Sequence, residues 1–401
     1  MIFLTKEQAK ILAHVYSPVL WIRGPAGSGK TYLLIEKAVT LAEDILNDQS
    51  KKNEKILVLC FNSILCKALK RAIMGSFQAP EATKVSSFLH CKSFTKLVME
   101  LACLSKPPSH SFAKEKSVNS AVEQLKNLMK EKNDVYMYDH ILVDEGQDLY
   151  GTKWPILLRH MHRSLQSAKE GILVRPGFFW IMYDMNQYLY FAKEEAHLHF
   201  EHIQNSSGLN IVLRNTDNVF KQSMKYFNSL MSNDSSIQLG HRVTGLPIEW
   251  DDSLVSCRVK EIPQGARLEE EIGQGARLVV NWIEKLEKEK VHPKDICVLV
   301  QNQGKQKLLR DEIERIGGNS QTGDDLVEEC GNCAVVESIR RFKGLESKVV
   351  ILCNPPFQGF SQFLTRELLY TAVSRCSCFL VVISTKEGCD ALKSDIGISM
   401  R

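Results

Sequence analysis

The residues best suited to chemistry come in two short runs. Gly24-Pro25-Ala26-Gly27-Ser28-Gly29-Lys30-Thr31 has the spacing G-x-x-x-x-G-K-[ST], follows the apolar run Val19 to Arg23 and opens a helical pattern. Glycines at this spacing let backbone N–H groups turn inward around phosphate oxygens. The helix start adds its positive end, Lys30 would reach the outer phosphates, and the Thr31 hydroxyl would bind magnesium. The second run is Ile141-Leu142-Val143-Asp144-Glu145, where three apolar residues anchor a strand and two carboxylates emerge at its carboxyl end. Asp144 would hold the hydration shell of the magnesium, and Glu145 would take the proton of an attacking water. An acidic pair after a strand is common on protein surfaces. Beside a phosphate loop it favours nucleotide hydrolysis over binding alone.

Elements that could position these runs alternate along the chain. Val19 to Arg23, Ile56 to Phe61, Ile141 to Val143 and Phe178 to Met182 read as short buried strands, with helices from Gly29 to about Leu46 and from Ser63. A second series begins at Ile211 to Leu213 and continues with Ile296 to Val300, Val349 to Leu352 and Phe379 to Ile383. Strands separated by helices specify parallel sheets with crossovers, so the fold class is α/β in two lobes. The expected division is 1–208 for the nucleotide-binding lobe, with a small helical insertion at about 95–137, and 209–401 for the second, with a short insertion at about 232–275. Gln264-Gly265-Ala266-Arg267 recurs as Gln274-Gly275-Ala276-Arg277. With only two copies it reads as a local duplication at the entry to a helix.

Composition sets the outer limits. The chain has 401 residues, 44% apolar and 24% charged, which suits two or three globular domains of about 150 residues each. Fifty-one Lys and Arg against 47 Asp and Glu give a net charge of +4, so any basic surface for nucleic acid must be local. Twelve scattered cysteines, no secretory leader and no long apolar run point to reduced thiols in an intracellular protein, nuclear or cytoplasmic, that does not span a membrane. Cys330 and Cys333 have the spacing of half a zinc site, but no second such pair completes it.

Asp144-Glu145-Gly146-Gln147-Asp148 resembles the D-E-x-Q-D box of superfamily 1 DNA and RNA helicases of the UvrD, Rep and PcrA type, and further segments resemble that family's boxes in order. Leu4-Thr5-Lys6-Glu7-Gln8 is similar to its Q motif, and Ile56 to Leu69, with Phe61-Asn62, to motif Ia. Tyr183 to Tyr190, with Asp184 and Gln187, resembles motif III. Leu213-Arg214-Asn215-Thr216 resembles motif IV, Arg341 to Glu346 motif V, and Leu369 to Arg375 motif VI. The likeness implies two RecA-like P-loop NTPase lobes that use ATP and Mg²⁺ to move along single-stranded DNA or RNA. It further implies that Gln8 bonds the adenine edge, Gln187 couples the γ-phosphate to the nucleic-acid groove, and Gly344 and Glu346 approach the ribose. Arg214 and Arg375 would stabilise charge on the transferring phosphoryl group, a role worth about 10³–10⁵ in rate in other NTPases.

Several positions depart from the family pattern. Leu213 stands where a tyrosine stacks on adenine, and Ala192 where a tryptophan stacks on a base, beside Tyr190 and Phe191. Val85 to His90 carries its histidine one place late, Arg340 replaces a histidine, and Ser377 replaces a lysine. These departures motivate an alternative: an ATP-gated nucleic-acid-binding or signalling module that does not unwind. The run Phe179 to Asp184, with Leu213 to Thr216, Gly240-His241, Gly245 and Ile248-Glu249-Trp250, is similar to the helicase-like domains of schlafen proteins. A small-molecule kinase with the same phosphate loop would leave Gln147, Gln187 and Arg375 without a purpose.

Overall fold

A computed structural model describes residues 4–13, 19–104, 111–131, 134–149, 154–169, 177–189, 206–228, 237–255, 264–328, 331–356 and 362–393. The chain divides into two compact units, Met1–Ile211 and Val212–Arg401. Tyr190, Phe191, Ala192 and Cys330 lie outside the described residues, as do 232–236 and 256–263 of the expected second insertion.

The first unit is built on six parallel strands: β1 (Val19–Arg23), β2 (Ile56–Cys60), β3 (Leu89–Ser93), β4 (His140–Val143), β5 (Phe179–Tyr183) and β6 (Ser206–Gly208), in the order β3-β2-β4-β5-β1-β6. The central strands β2, β4 and β5 are buried at every residue, which is why they read as continuous apolar runs. Alternation still sorts their side chains between two cores. Ile56, Val58 and Cys60 pack with Leu33, Leu34 and Ala38 of α1 (Lys30–Asn47) and with Leu65 and Leu69 of α2 (Ser63–Met74). Leu57 and Leu59 pack on the opposite face with Leu97, Val118, Leu125, Trp154 and Leu158.

That second core corrects one expectation. The stretch 95–137 supplies helices Phe94–Leu101 and Ser111–Lys130, and their buried residues share a cluster with the sheet. It is the helical layer on that face, not an appendage. Strands β3 and β6 have no apolar run to betray them, because edge strands are half exposed.

The second unit has a six-stranded sheet of its own, also parallel throughout. Its strands are Glu249–Asp251, Ile296–Val300, Ser320–Gln321, Ala334–Ser338, Ser347–Cys353 and Cys376–Ile383. One expectation is corrected here. Ile211–Val212 is not a strand of this sheet but pairs with Gln238–Leu239 in a separate two-stranded ribbon. Helix Gln264–Lys288 opens on the first copy of the Gln-Gly-Ala-Arg repeat and runs on through the second.

One buried histidine gives the first unit a pH-sensitive stability. His162 is fully enclosed, stacked on Phe179 with ring centroids 5.7 Å apart, and its Nδ1 accepts from the Leu165 N–H at 3.3 Å. Burial pushes its pKa down to about 4 from 6.5. Below about pH 6.5 the unfolded chain therefore takes up a proton that the folded chain refuses. The stability held above that pH is lost progressively as pH falls towards 4, by about 3 kcal/mol in all. Urea denaturation across this range should show the loss in the wild type, and His162→Asn should flatten it by about that amount.

Candidate active site

The phosphate loop joins β1 to α1 and is held from outside by the chain's first helix. Thr5 caps helix Lys6–Leu12: its Oγ1 accepts from the Gln8 N–H at 3.2 Å, and Gln8 Oε1 accepts from the Thr5 N–H at 2.9 Å. The other end of the same carboxamide, Nε2, donates to the Ser28 carbonyl at 3.0 Å. Gly29 sits directly beneath it with φ of 85°, and a Cβ there would lie 2.4 Å from Gln8 Nε2. Glycine suits position 29 for its backbone angle, and a side chain there would displace the Gln8 carboxamide from the loop. Inside the loop the Pro25 carbonyl accepts from Ser28 Oγ at 2.8 Å and from Lys30 Nζ at 2.9 Å, and Lys30 also donates to the Gly24 carbonyl at 2.7 Å. Ala26 is buried, and Gly27 turns the chain with φ of 77°.

The two sequence runs meet at the carboxyl end of β4. Thr31 Oγ1 donates to Asp144 Oδ2 at 2.8 Å, and the Glu145 N–H donates to Asp144 Oδ1 at 2.9 Å. Asp144 has no solvent exposure, and its pKa is raised to about 6, first by burial and next by the charge of Glu145. Glu145 itself has φ of 52°, in the left-handed region that a side chain disfavours by roughly 1–2 kcal/mol. This bend turns the chain sharply away from the strand direction at the residue expected to act as base. Strain of this kind concentrates where a surrounding network fixes the backbone.

The network is visible in the next residues. Gln147 Nε2 donates to Glu145 Oε2, while Gln147 Oε1 accepts from the Asp184 N–H at 3.0 Å. Gln187 Nε2 donates to Asp184 Oδ2 at 2.7 Å, and the Asn186 N–H donates to Asp184 Oδ1 at 3.0 Å. Burial raises the Asp184 pKa, and the nearby Lys30 ammonium opposes that rise. Thr31, Asp144, Glu145, Gln147, Asp184 and Gln187 therefore form one continuous buried path from the phosphate loop to the end of β5. Sequence reading named Gln147 and Asp184 only as members of boxes. Their part became legible once β4 and β5 were seen to be neighbours.

The remaining expected residues gather within the second unit. Arg214 Nε is ion-paired with Glu346, while Arg214 Nη1 is buried with no partner. Gly344, with φ of 85°, lies two residues before that glutamate. Arg375 is buried: its Nη1 donates to the Leu345 carbonyl at 3.3 Å, its Nε to the Thr371 carbonyl at 3.2 Å, and its own carbonyl accepts from the Ser347 N–H at 3.0 Å. Asn215 Nδ2 donates to the carbonyls of Ser374 and Cys376 at 3.2 and 2.6 Å. The three segments expected to act together are thus bonded to one another.

Residues 4–136 match the family model of the UvrD/REP helicase N-terminal domain, and residues 333–383 match that of the UvrD-like helicase C-terminal domain. The chain carries a UvrD/Rep superfamily 1 helicase core. It is an ATP-dependent helicase or translocase with a nucleic-acid substrate, and a switch without motor activity is not favoured. No curated protein matches the chain. No described helix is long and apolar enough to cross a membrane.

In this helicase core Gln147 is the joint between the Glu145 carboxylate and the end of β5. Gln147→Leu keeps the volume but leaves the buried Asp184 N–H unpaired, which should lower the unfolding free energy by about 1–3 kcal/mol in urea titrations. Glu145 loses its positioning donor at the same time. ATP turnover should fall on the order of 10²-fold, and wild-type turnover in this variant would exclude a positioning role for Gln147.

Proposed function

We propose that the first unit binds ATP with magnesium and hydrolyses it at Glu145, and that single-stranded nucleic acid lies across the carboxyl ends of β2 and β3. The buried path from Thr31 through Asp144, Glu145 and Gln147 to Asp184 and Gln187 carries this reading, because it ties phosphate, metal and base positions into one unit. The donor set suits a divalent cation: hard oxygens from Thr31 and Asp144 adjoin, and the Asp144 carboxylate is desolvated enough that a cation would favour its charged form. Magnesium, when bound, would neutralise charge on the phosphate oxygens. The loop backbone from Gly24 to Gly29 would cradle the phosphates, with Lys30 exchanging its bonds to the Gly24 and Pro25 carbonyls for phosphate oxygens. Glu145 would orient the attacking water and take its proton, held in place by Gln147.

Gln8 is assigned to the adenine edge, and its bond to the Ser28 carbonyl would link that contact to the phosphate loop. Gln187, bonded to Asp184, is assigned to sensing the γ-phosphate. Arg214 and Arg375 are assigned to charge on that phosphate, and Gly344 and Glu346 to the ribose. The unpartnered Arg214 Nη1 supports its share, as a donor ready for an anion. These roles require the Arg214–Glu346 ion pair to open and Arg375 to leave the carbonyls of Thr371 and Leu345.

A groove of about 510 Å³ in the first unit supports the strand-binding part. It is lined by Phe61, Ser63, Ser93, Thr95, Lys96 and Met99, with Leu104 and with Glu100, whose carboxylate is ion-paired to Lys92. Phe61 supplies a ring for a base to stack on, and the exposed Lys96 supplies charge for a phosphate. His90, by contrast, is turned away into a 2.9 Å bond between its Nδ1 and the Tyr138 hydroxyl.

Two outcomes follow. Lys30→Ala and Glu145→Gln should each abolish strand-stimulated ATP hydrolysis, with at least about 10²-fold lost at Glu145 if it is the general base. Undiminished turnover in Glu145→Gln would remove that assignment. In fluorescence-anisotropy titrations with single-stranded oligonucleotides, Phe61→Ala should weaken binding by about 1–3 kcal/mol. Lys96→Ala should reduce the log–log salt slope by about 0.7, and an unchanged slope would place the strand elsewhere.

A further inference from the structure

Three thiols that play no part in this chemistry lie together on one face of the first sheet. Cys60 ends β2, Cys66 lies in the opening turns of α2, and Cys91 is opposite Val58 on β3. All three are free thiols in the same core cluster. The Asn62 carbonyl lies between Cys60 and Cys66, accepting from the Cys60 thiol at 3.2 Å and from the Cys66 backbone N–H at 3.0 Å. The two sulfurs are near enough for each to perturb the other's titration.

Their environments differ in the way a reactive pair needs. Cys60 is buried, and burial pushes its thiol well above the ordinary range. Cys66 is only half-buried, and its pKa is lowered, chiefly by the Cys60 hydrogen bond and further by Lys96 and Lys70. A half-buried thiol beside a sheltered partner in the same cluster is an arrangement in which attack on peroxide by the first can be followed by disulfide closure with the second. Cys91 is pushed up to about 12 by burial, so it is the poorer nucleophile.

We propose that Cys66 and Cys60 are a peroxide-oxidisable thiol pair, whose disulfide disables the Phe61–Asn62 turn lying between them. The Cys66 thiolate attacks a hydroperoxide oxygen. The O–O bond breaks, an S–O bond forms, and the departing hydroxide or alkoxide takes up a proton. The Cys60 sulfur then attacks the Cys66 sulfur, forming S–S and breaking S–O, and water leaves with the Cys60 proton. The thiol pair loses two electrons and the peroxide gains two. The product has lost the S–H donor to the Asn62 carbonyl, and the chain between its ends holds Phe61 and Ser63, which line the proposed groove. The functional consequence rests on that groove reading, whereas the disulfide itself does not.

The test uses the whole chain. Hydrogen peroxide is added, followed by alkylation of remaining thiols, digestion with trypsin and mass spectrometry of peptide 56–67, which carries both cysteines. Cys60 and Cys66 should lose alkylation together, the peptide should become two hydrogens lighter, and dithiothreitol should reverse both changes. Single-strand stimulation of ATP hydrolysis should fall and recover in step in the wild type, and should persist through oxidation in Cys66→Ser and Cys66→Ala. Exposed Cys103 and Cys378 report that oxidant was sufficient. The proposal is overturned if those two oxidise while Cys60 and Cys66 remain alkylatable. A Cys66–Cys91 disulfide, or a Cys60–Cys66 disulfide that leaves stimulation intact, overturns it as well. The groove reading fails separately, if reduced Phe61→Ala binds and responds to single strands like the wild type while the peptide result holds.

Discussion

A carboxylate buried at the end of an apolar strand governs this molecule. Asp144 has no access to water, and two of its neighbours, Thr31 Oγ1 and the Glu145 N–H, are spent on holding its oxygens. Desolvation of a charge is costly, and that cost is tolerable only where a cation or a proton can share the site. The raised pKa is the expression of that demand in the protein alone. It also explains why the phosphate loop must reach β4: Thr31 is the loop residue that brings α1 into contact with the carboxylate. The left-handed bend at Glu145 then follows, because a chain that has delivered one carboxylate into the site must turn abruptly to keep a second beside it.

The second unit obeys a similar constraint with the signs reversed. Two arginines are gathered there, one beside a glutamate and the other beside backbone carbonyls. Arg214 is held by one exposed carboxylate and keeps a buried nitrogen unpaired. Arg375 is bonded to carbonyl oxygens, weaker acceptors than a carboxylate or phosphate. A carbonyl is a weaker acceptor for a guanidinium than an anion is, so an anionic ligand can compete for such a cation.

Much of this was legible in the sequence, and the parts that were not share a physical cause. The central strands and the phosphate loop announce themselves, since full burial demands unbroken apolar runs and a phosphate cradle demands glycine at fixed spacing. Strands β3 and β6, half exposed at or near the sheet edges, leave no such signature. Ile211–Val212 misled in the opposite sense, because a short apolar run reads as a core strand whatever it pairs with. The stretch 95–137 looked like an insertion for its turn-rich beginning. The periodic Val118, Val122 and Leu125 of its long helix belong to the core. At the site, the chemistry-bearing residues could be named from type and spacing, but their order of contact could not. That order depends on β4 and β5 being neighbours, a fact of sheet topology rather than of local sequence.

The identity of Gln147 shows why topology and chemistry had to be solved together. Its side chain must donate to the Glu145 carboxylate on its own loop and accept from the backbone N–H that follows β5, at once and without charge. A glutamate in its place could accept but, when ionised, not donate, and it would add repulsion to Asp144 and Glu145. A lysine could donate but not accept, and would compete with Lys30 for the same carboxylates. A serine carries both functions on one atom and cannot span the two partners. A primary amide presents a donor and an acceptor about 2 Å apart on a planar group that stays neutral at every working pH, and glutamine has one methylene more of reach than asparagine. The bridge is neutral, so it joins Glu145 to the Asp184 backbone without adding a charge between the carboxylates. A box defined by sequence alone is thus accounted for by a side chain able to join β4 to β5 without altering the electrostatics of the site.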